Sequence, residues 1–548
     1  MSSAPAQELE STRVSAPPFA LLDVIPVLPV LLAVLAGFWY FYHQILVVNS
    51  GTFIYAQDDP YIHLSLARNL LHGWYGATSF AHSSPSSSVI WPFLLAGIMK
   101  FAGPNQMVAL WIQVPLCLAI LCAALWMLRD AGIRNRVVQT AVLFAVAAFT
   151  AFLPMAFIAL EHLLHCLAMI VFCWSFARIY NRDPQKFDAL NLGLLAALLT
   201  ASRYEGLFTL AVAGLLVLRA KRWSLAAALT IGGAFPVLAF GLYSLHIGGH
   251  LLPNSLLIKG QPLTWRLDNR LLAMKDGSHA AFALFLTLIA WIVLEGRVGR
   301  MLAPRTRTAA TLLLGTMCFH GYFATWGWFT RYEAYLICFG TLLIAIASRD
   351  FLANPPRVRY WKFAVVALAV PFIYYAADRA YTSTKLIPDA SHDIFSQQYQ
   401  VARLFQQFYR GQSVGVNDVG SVDWFAQTNT QDVAGLTSYE FLNLGRFPGA
   451  YKVEDVLARH DTKAMAFYIY WVLPPKGSMH FPESWKTVAT WDLKVNHVLW
   501  GTSVTIFAEG CDNARELSAH LAAFDPTLPK TIKITRAHSI CGQPAPGY

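Results

Sequence analysis

Two adjacent carboxylates, Asp58 and Asp59, stand directly before Pro60 in the run Asp58-Asp59-Pro60-Tyr61-Ile62-His63-Leu64-Ser65-Leu66-Ala67-Arg68-Asn69-Leu70-Leu71-His72-Gly73. Proline fits the first turn of a helix, so either aspartate could cap a helix over Pro60–Leu71. One carboxylate would suffice for that. A second beside it raises a pKa unless a cation or a proton intervenes, which suits the pair to a general base, a metal ligand, or one of each. It could hold a divalent cation, magnesium or manganese, although no ligand spacing demands one. His63 lies one helical turn after Asp59 and could orient the carboxylate or bind a metal, or serve simply as a surface histidine. Glu161, Arg203 and Glu205 fall at the ends of apolar blocks, Asn254 and Lys259 in a polar loop, and Arg331 in a short turn. Ionisable groups at membrane depth normally face a water-filled cavity and mark function. The plainer roles are a local ion pair between Arg203 and Glu205, and a snorkelling interfacial anchor for Arg331.

The elements that must position these residues are apolar. Of 548 residues, 56% are hydrophobic and 13% charged, against about 25% charged in a soluble domain, and the mean hydropathy is +0.45. The net charge of +10 sits in short loops between apolar blocks, not in a basic stripe interleaved with aromatics, which argues against a nucleic-acid partner. Candidate spans are 19–42, 107–128, 137–159, 163–180, 189–202, 205–218, 223–245, 279–295, 308–328, 331–348 and 361–377, making about eleven transmembrane helices. Putting the loops at Arg129/Arg134/Arg136, Arg182/Lys186, Arg219/Lys221/Arg222, Arg297/Arg300/Arg305/Arg307 and Arg349/Arg357/Arg359/Lys362 in the cytoplasm satisfies the positive-inside rule. The polar tail 1–18 is then cytoplasmic and the first apolar block a retained span with no cleavage site after it. Segment 86–102 is apolar enough to span, but counting it would invert everything downstream, so it reads as an interfacial helix. The outer face then gathers the loop 43–106, Glu161, Arg203–Glu205, the loop 246–278, the turn Gly327–Glu333 and a domain over 378–548. That domain has ordinary polarity. Helical spacing at Gln397–Tyr409 and strand-like content at Ser413–Val416, Lys463–Tyr470 and Val504–Phe507 predict a small α/β fold. Six cysteines (Cys117, Cys122, Cys166, Cys173, Cys318, Cys338) lie in apolar blocks and read as packing residues. Cys511 and Cys541 lie outside them and could pair in an oxidising compartment.

At this point the residues carry a resemblance. The run DDPYIHLSLARNLLHGW followed by SPSSSVIWPFLLA resembles the first extracytoplasmic loop of GT-C superfamily glycosyltransferases, most of all the bacterial arabinofuranosyltransferase-like branch that uses a polyprenyl-phosphate donor. Ile158–His162 is similar to that family's G-x-E-T-x-L connection, Ala201–Leu207 to its T-R-P-E-G-L, Leu251–Lys259 to its L-P-N-T-F-Y-A-K and Gly327–Tyr332 to a W-x-x-R-F/Y turn. Val414–Gly420 with Gly435–Thr437 resembles a V-A-V-N-D-I-G…D-L-x-G-L-T pattern of its periplasmic domains. Tyr204 stands where the family has proline and His162 where it has threonine, departures that bear on the substrate more than on the reaction. The resemblance implies a multi-pass bacterial inner-membrane enzyme that moves a sugar with inversion from a polyprenyl-phosphate donor to an envelope glycan, lipid or protein at the outer face. An aspartate of the pair would be the base, Asp59 by its position with Asp58 as partner, though the reverse assignment stays open. Lys259, Arg203 and Arg331 would face the lipid phosphate, with Glu161, Glu205, Asn254 and His63 around the substrate. A lipid-linked sugar transporter or flippase, a polysaccharide polymerase or ligase, and an envelope sensor are the other classes. A transporter would tend to show repeated halves and mid-span charges, which this chain lacks.

Overall fold

The computed structural model describes residues 21–259, 267–298, 302–353, 361–446, 453–468 and 483–546. The tail 1–18 and the basic residues Arg300, Arg357 and Arg359 lie outside them. The chain is a helical multi-pass membrane protein with a C-terminal sheet domain. Among the described residues, six helices are long and apolar enough to cross a membrane: Val27–Val48, Val108–Asp130, His162–Tyr180, Trp223–His246, His279–Gly296 and Ala334–Ala353. The apolar helices Arg136–Phe149, Asp188–Ser202 and Gly206–Arg219 are shorter.

Several elements depart from the expected bounds for local reasons. The first span begins after Pro26, at Val27, and runs on to Val48; Pro26 and Pro29 stand at its start and in its first turn, where a missing N–H costs no intrahelical bond. The block 137–159 is two helices, Arg136–Phe149 and Phe152–Phe157, broken at Ala151 in the left-handed region (φ 60°). Pro154 cannot donate to the carbonyl of Thr150, so a single helix through it would lose a bond. The last apolar block does not end at 377. Its helix, Trp361–Lys385, continues through Asp378 and Arg379 and carries Arg379 to the turn before Glu333. Segment 86–102 forms a helix only over Trp91–Ala102; its 12 residues reach about 18 Å, short of a roughly 30 Å hydrocarbon layer. This helix packs against the one over Asp59–Leu70 and exposes Phe93 and Phe101.

The C-terminal domain opens with helices Ile387–Ser396 and Gln398–Phe408. Its sheet contains β1 (Ser413–Val416), β2 (Asn429–Asp432), β3 (Ala464–Phe467), β4 (Trp485–Leu493), β5 (Ser503–Glu509) and β6 (Ile532–Arg536), in the order β2-β1-β3-β5-β4-β6. β1 is parallel to β2 and β3, and the other pairings are antiparallel. Loops at the carboxyl ends of β1 and β2 both meet the membrane module, the end at which open α/β sheets usually present functional groups. Cys511 and Cys541 are joined in a disulfide. Among the apolar-block cysteines, Cys117, Cys166, Cys173 and Cys338 are buried, Cys122 is half-buried and Cys318 is exposed on the bundle surface.

Candidate active site

The helix expected after Pro60 forms over Asp59–Leu70, but neither aspartate caps it with its side chain. The two carboxylates diverge. Asp59 turns into a cavity of about 390 Å³ at the junction of the membrane module and the C-terminal domain. Asp58 turns away from it, 5% exposed, into the C-terminal domain. There its oxygens accept from the Gly420 N–H (2.5 Å), the Ser421 N–H (2.8 Å) and the Ser421 hydroxyl (2.5 Å).

Asp59 faces two cations. Its Oδ2 lies 2.7 Å from Arg331 Nη2 and 3.9 Å from Lys259 Nζ. Burial alone would raise this carboxyl, but the charges of Lys259 and Arg331 outweigh it and hold Asp59 well below the usual carboxylate range. Arg331 is buried rather than snorkelling (3% exposed); it also donates to Gln57 Oε1 (2.6 Å) and lies over the Tyr332 ring. Its placement follows from an unusual turn. Gly327, Trp328, Phe329 and Thr330 all have positive φ (79°, 47°, 54° and 64°), a conformation costing roughly 1–2 kcal/mol for each residue with a Cβ. Glu333 accepts from the Gly327 N–H (2.9 Å) and pairs with Arg379 Nε (3.2 Å). Arg379 in turn donates to the carbonyls of Thr330 and Phe149. The buried Glu333–Arg379 pair thus closes the turn that presents Arg331.

A second ion cluster lines the same cavity. Arg203 binds Glu205 with two hydrogen bonds (3.2 and 2.6 Å) and reaches Glu161 with a third. The Ser87 hydroxyl donates to Glu161 Oε1 (3.0 Å). The ion pair read as the plainer role of Glu205 is therefore present, but inside the cavity wall. Five buried polar atoms of cavity-lining residues have no protein partner: Glu161 Oε2, His63 Nδ1, Tyr204 Oη, Ser255 Oγ and Arg331 Nε. An unpaired buried polar group costs about 1–3 kcal/mol, so these atoms are fit to bind a polyhydroxylated ligand. Burial holds the His63 imidazole below its ordinary pKa, which favours its neutral form. One edge of the cavity is apolar, lined by Leu207, Phe208, Leu252, Leu256 and Phe323.

Of the residues singled out in the sequence, Asp59, His63, Glu161, Arg203, Glu205, Lys259 and Arg331 line this one cavity. Asp58 and Asn254 do not. Asn254 instead staples the C-terminal domain to the membrane module: its Nδ2 donates to the carbonyls of Gly435 (3.3 Å) and Leu436 (3.1 Å), after β2, and its backbone N–H to Ser84 (2.9 Å). Ser87, Gln57, Tyr332, Glu333 and Arg379 were not foreseen. Glu333 and Arg379 carry a signal, since charges beside apolar spans are costly without a role. The donor chemistry does not fit a divalent cation, because Asp59 already faces two cations and Asp58 is saturated by N–H and O–H donors. Among the described residues no group of three or more His, Cys, Asp or Glu could hold a metal ion.

A family profile described as a domain of unknown function (DUF8728) matches residues 392–508, from the first helix of the C-terminal domain to β5. No curated protein sequence matches the chain. Among solved structures, ArnT from Cupriavidus metallidurans bound to undecaprenyl phosphate is similar with a TM-score of 0.51 at 12% identity, covering 88% of this chain and 97% of that one. ArnT from the same organism in the apo state gives 0.50 at 11%, over 89% and 98%. An Archaeoglobus fulgidus oligosaccharyltransferase, AglB, in complex with an inhibitory peptide and a dolichol-phosphate gives 0.47 at 13%, over 86% and 74%. The two ArnT likenesses extend along nearly the whole of both chains and show a shared fold. It agrees with the fold class expected from the sequence, a helical membrane bundle with a C-terminal α/β domain.

Proposed function

We propose that this chain is an inverting glycosyltransferase that takes a sugar from a polyprenyl-phosphate donor and gives it to a cell-envelope acceptor. The observation that carries this reading is the Asp59–Arg331–Lys259 cluster in a cavity with one apolar edge, within a fold shared with an enzyme crystallised with undecaprenyl phosphate. Lys259 and Arg331 hold the donor phosphate, and the apolar edge admits the prenyl chain from the bilayer. The sugar meets the unpaired atoms of Glu161, His63, Tyr204 and Ser255. Their four polar atoms suit hydroxyl groups, while the acceptor, whether glycan, lipid or protein, enters from the side of the C-terminal domain.

The acceptor hydroxyl attacks the anomeric carbon, the bond from that carbon to the phosphate oxygen breaks, and the electron pair leaves on the phosphate. The acceptor proton goes to Asp59. In the free enzyme Lys259 and Arg331 suppress the basicity of Asp59. A bound phosphate competes for both cations and so returns basicity to the carboxylate, confining proton removal to the loaded site. Placing the cavity on the outer face, with the N-terminus inside, follows the distribution of basic loops. The Cys511–Cys541 disulfide supports it, because disulfides persist in oxidising compartments.

The test is Asp59→Asn in vesicles supplied with labelled polyprenyl-phosphate sugar and an envelope extract. Transfer should fall about 10²–10⁴-fold, the usual worth of a general base, while undecaprenyl phosphate still binds. Transfer at the wild-type rate would refute the assignment.

A further inference from the structure

The C-terminal domain touches the catalytic loop at a point that the reaction, as derived so far, does not use. Asp58 is buried, points away from the cavity, and is bound by groups from the loop that follows β1. We infer that this loop, Asn417–Ser421, belongs to the catalytic machinery: by gripping Asp58 it fixes the position of Asp59, which makes Asp418, Gly420 and Ser421 positioning residues for the base. The inference rests on the glycosyltransferase reading above.

Three observations support it independently of one another. The first is the completeness of the grip. Asp58 receives two backbone N–H groups and one hydroxyl from Gly420 and Ser421, and Asp418 of the same loop lies within electrostatic reach of its carboxyl. Burial and the neighbouring Asp58 push the Asp418 carboxyl up, and Gln398 Nε2 donates to Asp418 (2.8 Å). The second is the absence of slack. A Cβ on Gly420 would lie 2.2 Å from the Asp58 carbonyl oxygen and 2.7 Å from its Oδ2, so the approach depends on glycine. The third is a grip at the other end of the same helix. Arg68 donates to the carbonyls of Asp423 (2.8 Å) and Trp424 (2.9 Å) and lies over the Trp424 ring.

Asp58 and Arg68 stand ten residues apart, about 15 Å along a helix. One short segment, Gly420–Trp424, therefore holds the Asp59–Leu70 helix near both ends, against sliding and rotation. The consequence for Asp59 is direct, since it is the next residue after the gripped one. A misplacement of about 1 Å at a reacting group can cost a hundredfold in rate. The arrangement also accounts for a second acid beside the base: Asp58 is a handle for the C-terminal domain.

The experiment compares Ser421→Ala, Gly420→Ala, Asp418→Ala and Asp418→Asn in full-length protein in nanodiscs, with melting temperature measured throughout. Transfer from polyprenyl-phosphate hexose and pentose donors into envelope extract gives kcat and KM, and hydrogen–deuterium exchange reports on residues 52–71. The first three variants should lose about tenfold to a hundredfold in kcat with donor KM nearly unchanged, and exchange should rise at 58–70. Asp418→Asn, whose amide can donate to Asp58 and accept from Gln398, should restore most of the rate. Wild-type kcat in Ser421→Ala and Asp418→Ala would overturn the inference, as would a loss confined to KM or an Asp418→Asn no better than Asp418→Ala. A wild-type chain that neither transfers sugar nor binds undecaprenyl phosphate would instead bring down the glycosyltransferase reading. Exchange at 58–70 then still decides the grip itself, and no change there would refute it.

Discussion

Asp59, half-buried in the cavity wall, is held in its charged form chiefly by Lys259 and Arg331 beside it. Each cation thus has two effects, one on the donor phosphate and one on the base. In Lys259→Ala the first effect should appear as a donor KM raised about 10–100-fold, the worth of one charged hydrogen bond of about 1.5–3 kcal/mol. The second has a definite sign. A carboxylate held low stays ionised as the pH falls; without the lysine charge it takes up its proton at higher pH. The acid limb of the kcat/KM profile should therefore move upward in Lys259→Ala. A limb that stays put, measured across the acid range, would mean that Lys259 does not act on the base. At this scale the sequence was legible where a charge was costly: Glu161, Arg203, Glu205 and Arg331 all stand at span ends and all reach the cavity. It was misleading where a side chain's direction decided the matter. Asp58 and Asn254 carry the same polar signals, yet they bind the C-terminal domain, and nothing local in the chain distinguishes a contact to substrate from a contact to a distant loop.

The turn Gly327–Thr330 shows what an element contributes. Three consecutive side-chain-bearing residues in the left-handed region persist only if their surroundings compensate, and Glu333 with Arg379 supplies that compensation. Removing one partner of a buried ion pair costs about 3–5 kcal/mol. Arg379→Ala should therefore lower the melting temperature and reduce kcat/KM, with Arg379→Lys recovering part of each. An unchanged kcat/KM in Arg379→Ala would show that the turn does not set Arg331. The turn was legible in the sequence as a connection resembling a W-x-x-R-F/Y pattern, but its clamp was not, because Arg379 falls after the expected end of an apolar block. Composition tells where a chain can cross a bilayer and cannot tell where a helix stops, as the continuation to Lys385 shows. Strand content, in contrast, located β1 to the residue and β3 and β5 nearly so.

At the scale of the molecule, the C-terminal domain sits over one end of the helical bundle and is tied down by loops from the carboxyl ends of two parallel strands. If the bundle is oriented as the basic loops indicate, Lys494→Cys in the C-terminal domain should react with an impermeant maleimide in intact cells, above the wild-type background. Lys221→Cys, at the opposite ends of the spans, should react only after lysis; the reverse pattern would invert the topology. The pairing of parallel-strand loops with the membrane module was beyond the reach of sequence patterns, since it depends on sheet order rather than on any local run. The most direct test of the whole account is a cryo-EM structure of the full chain in nanodiscs with undecaprenyl phosphate. The account predicts the phosphate between Lys259 and Arg331, the prenyl chain leaving past Phe208 and Phe323, and Asp59 no longer paired with both cations. A lipid phosphate bound elsewhere, with the Asp59 cluster unchanged, would contradict it.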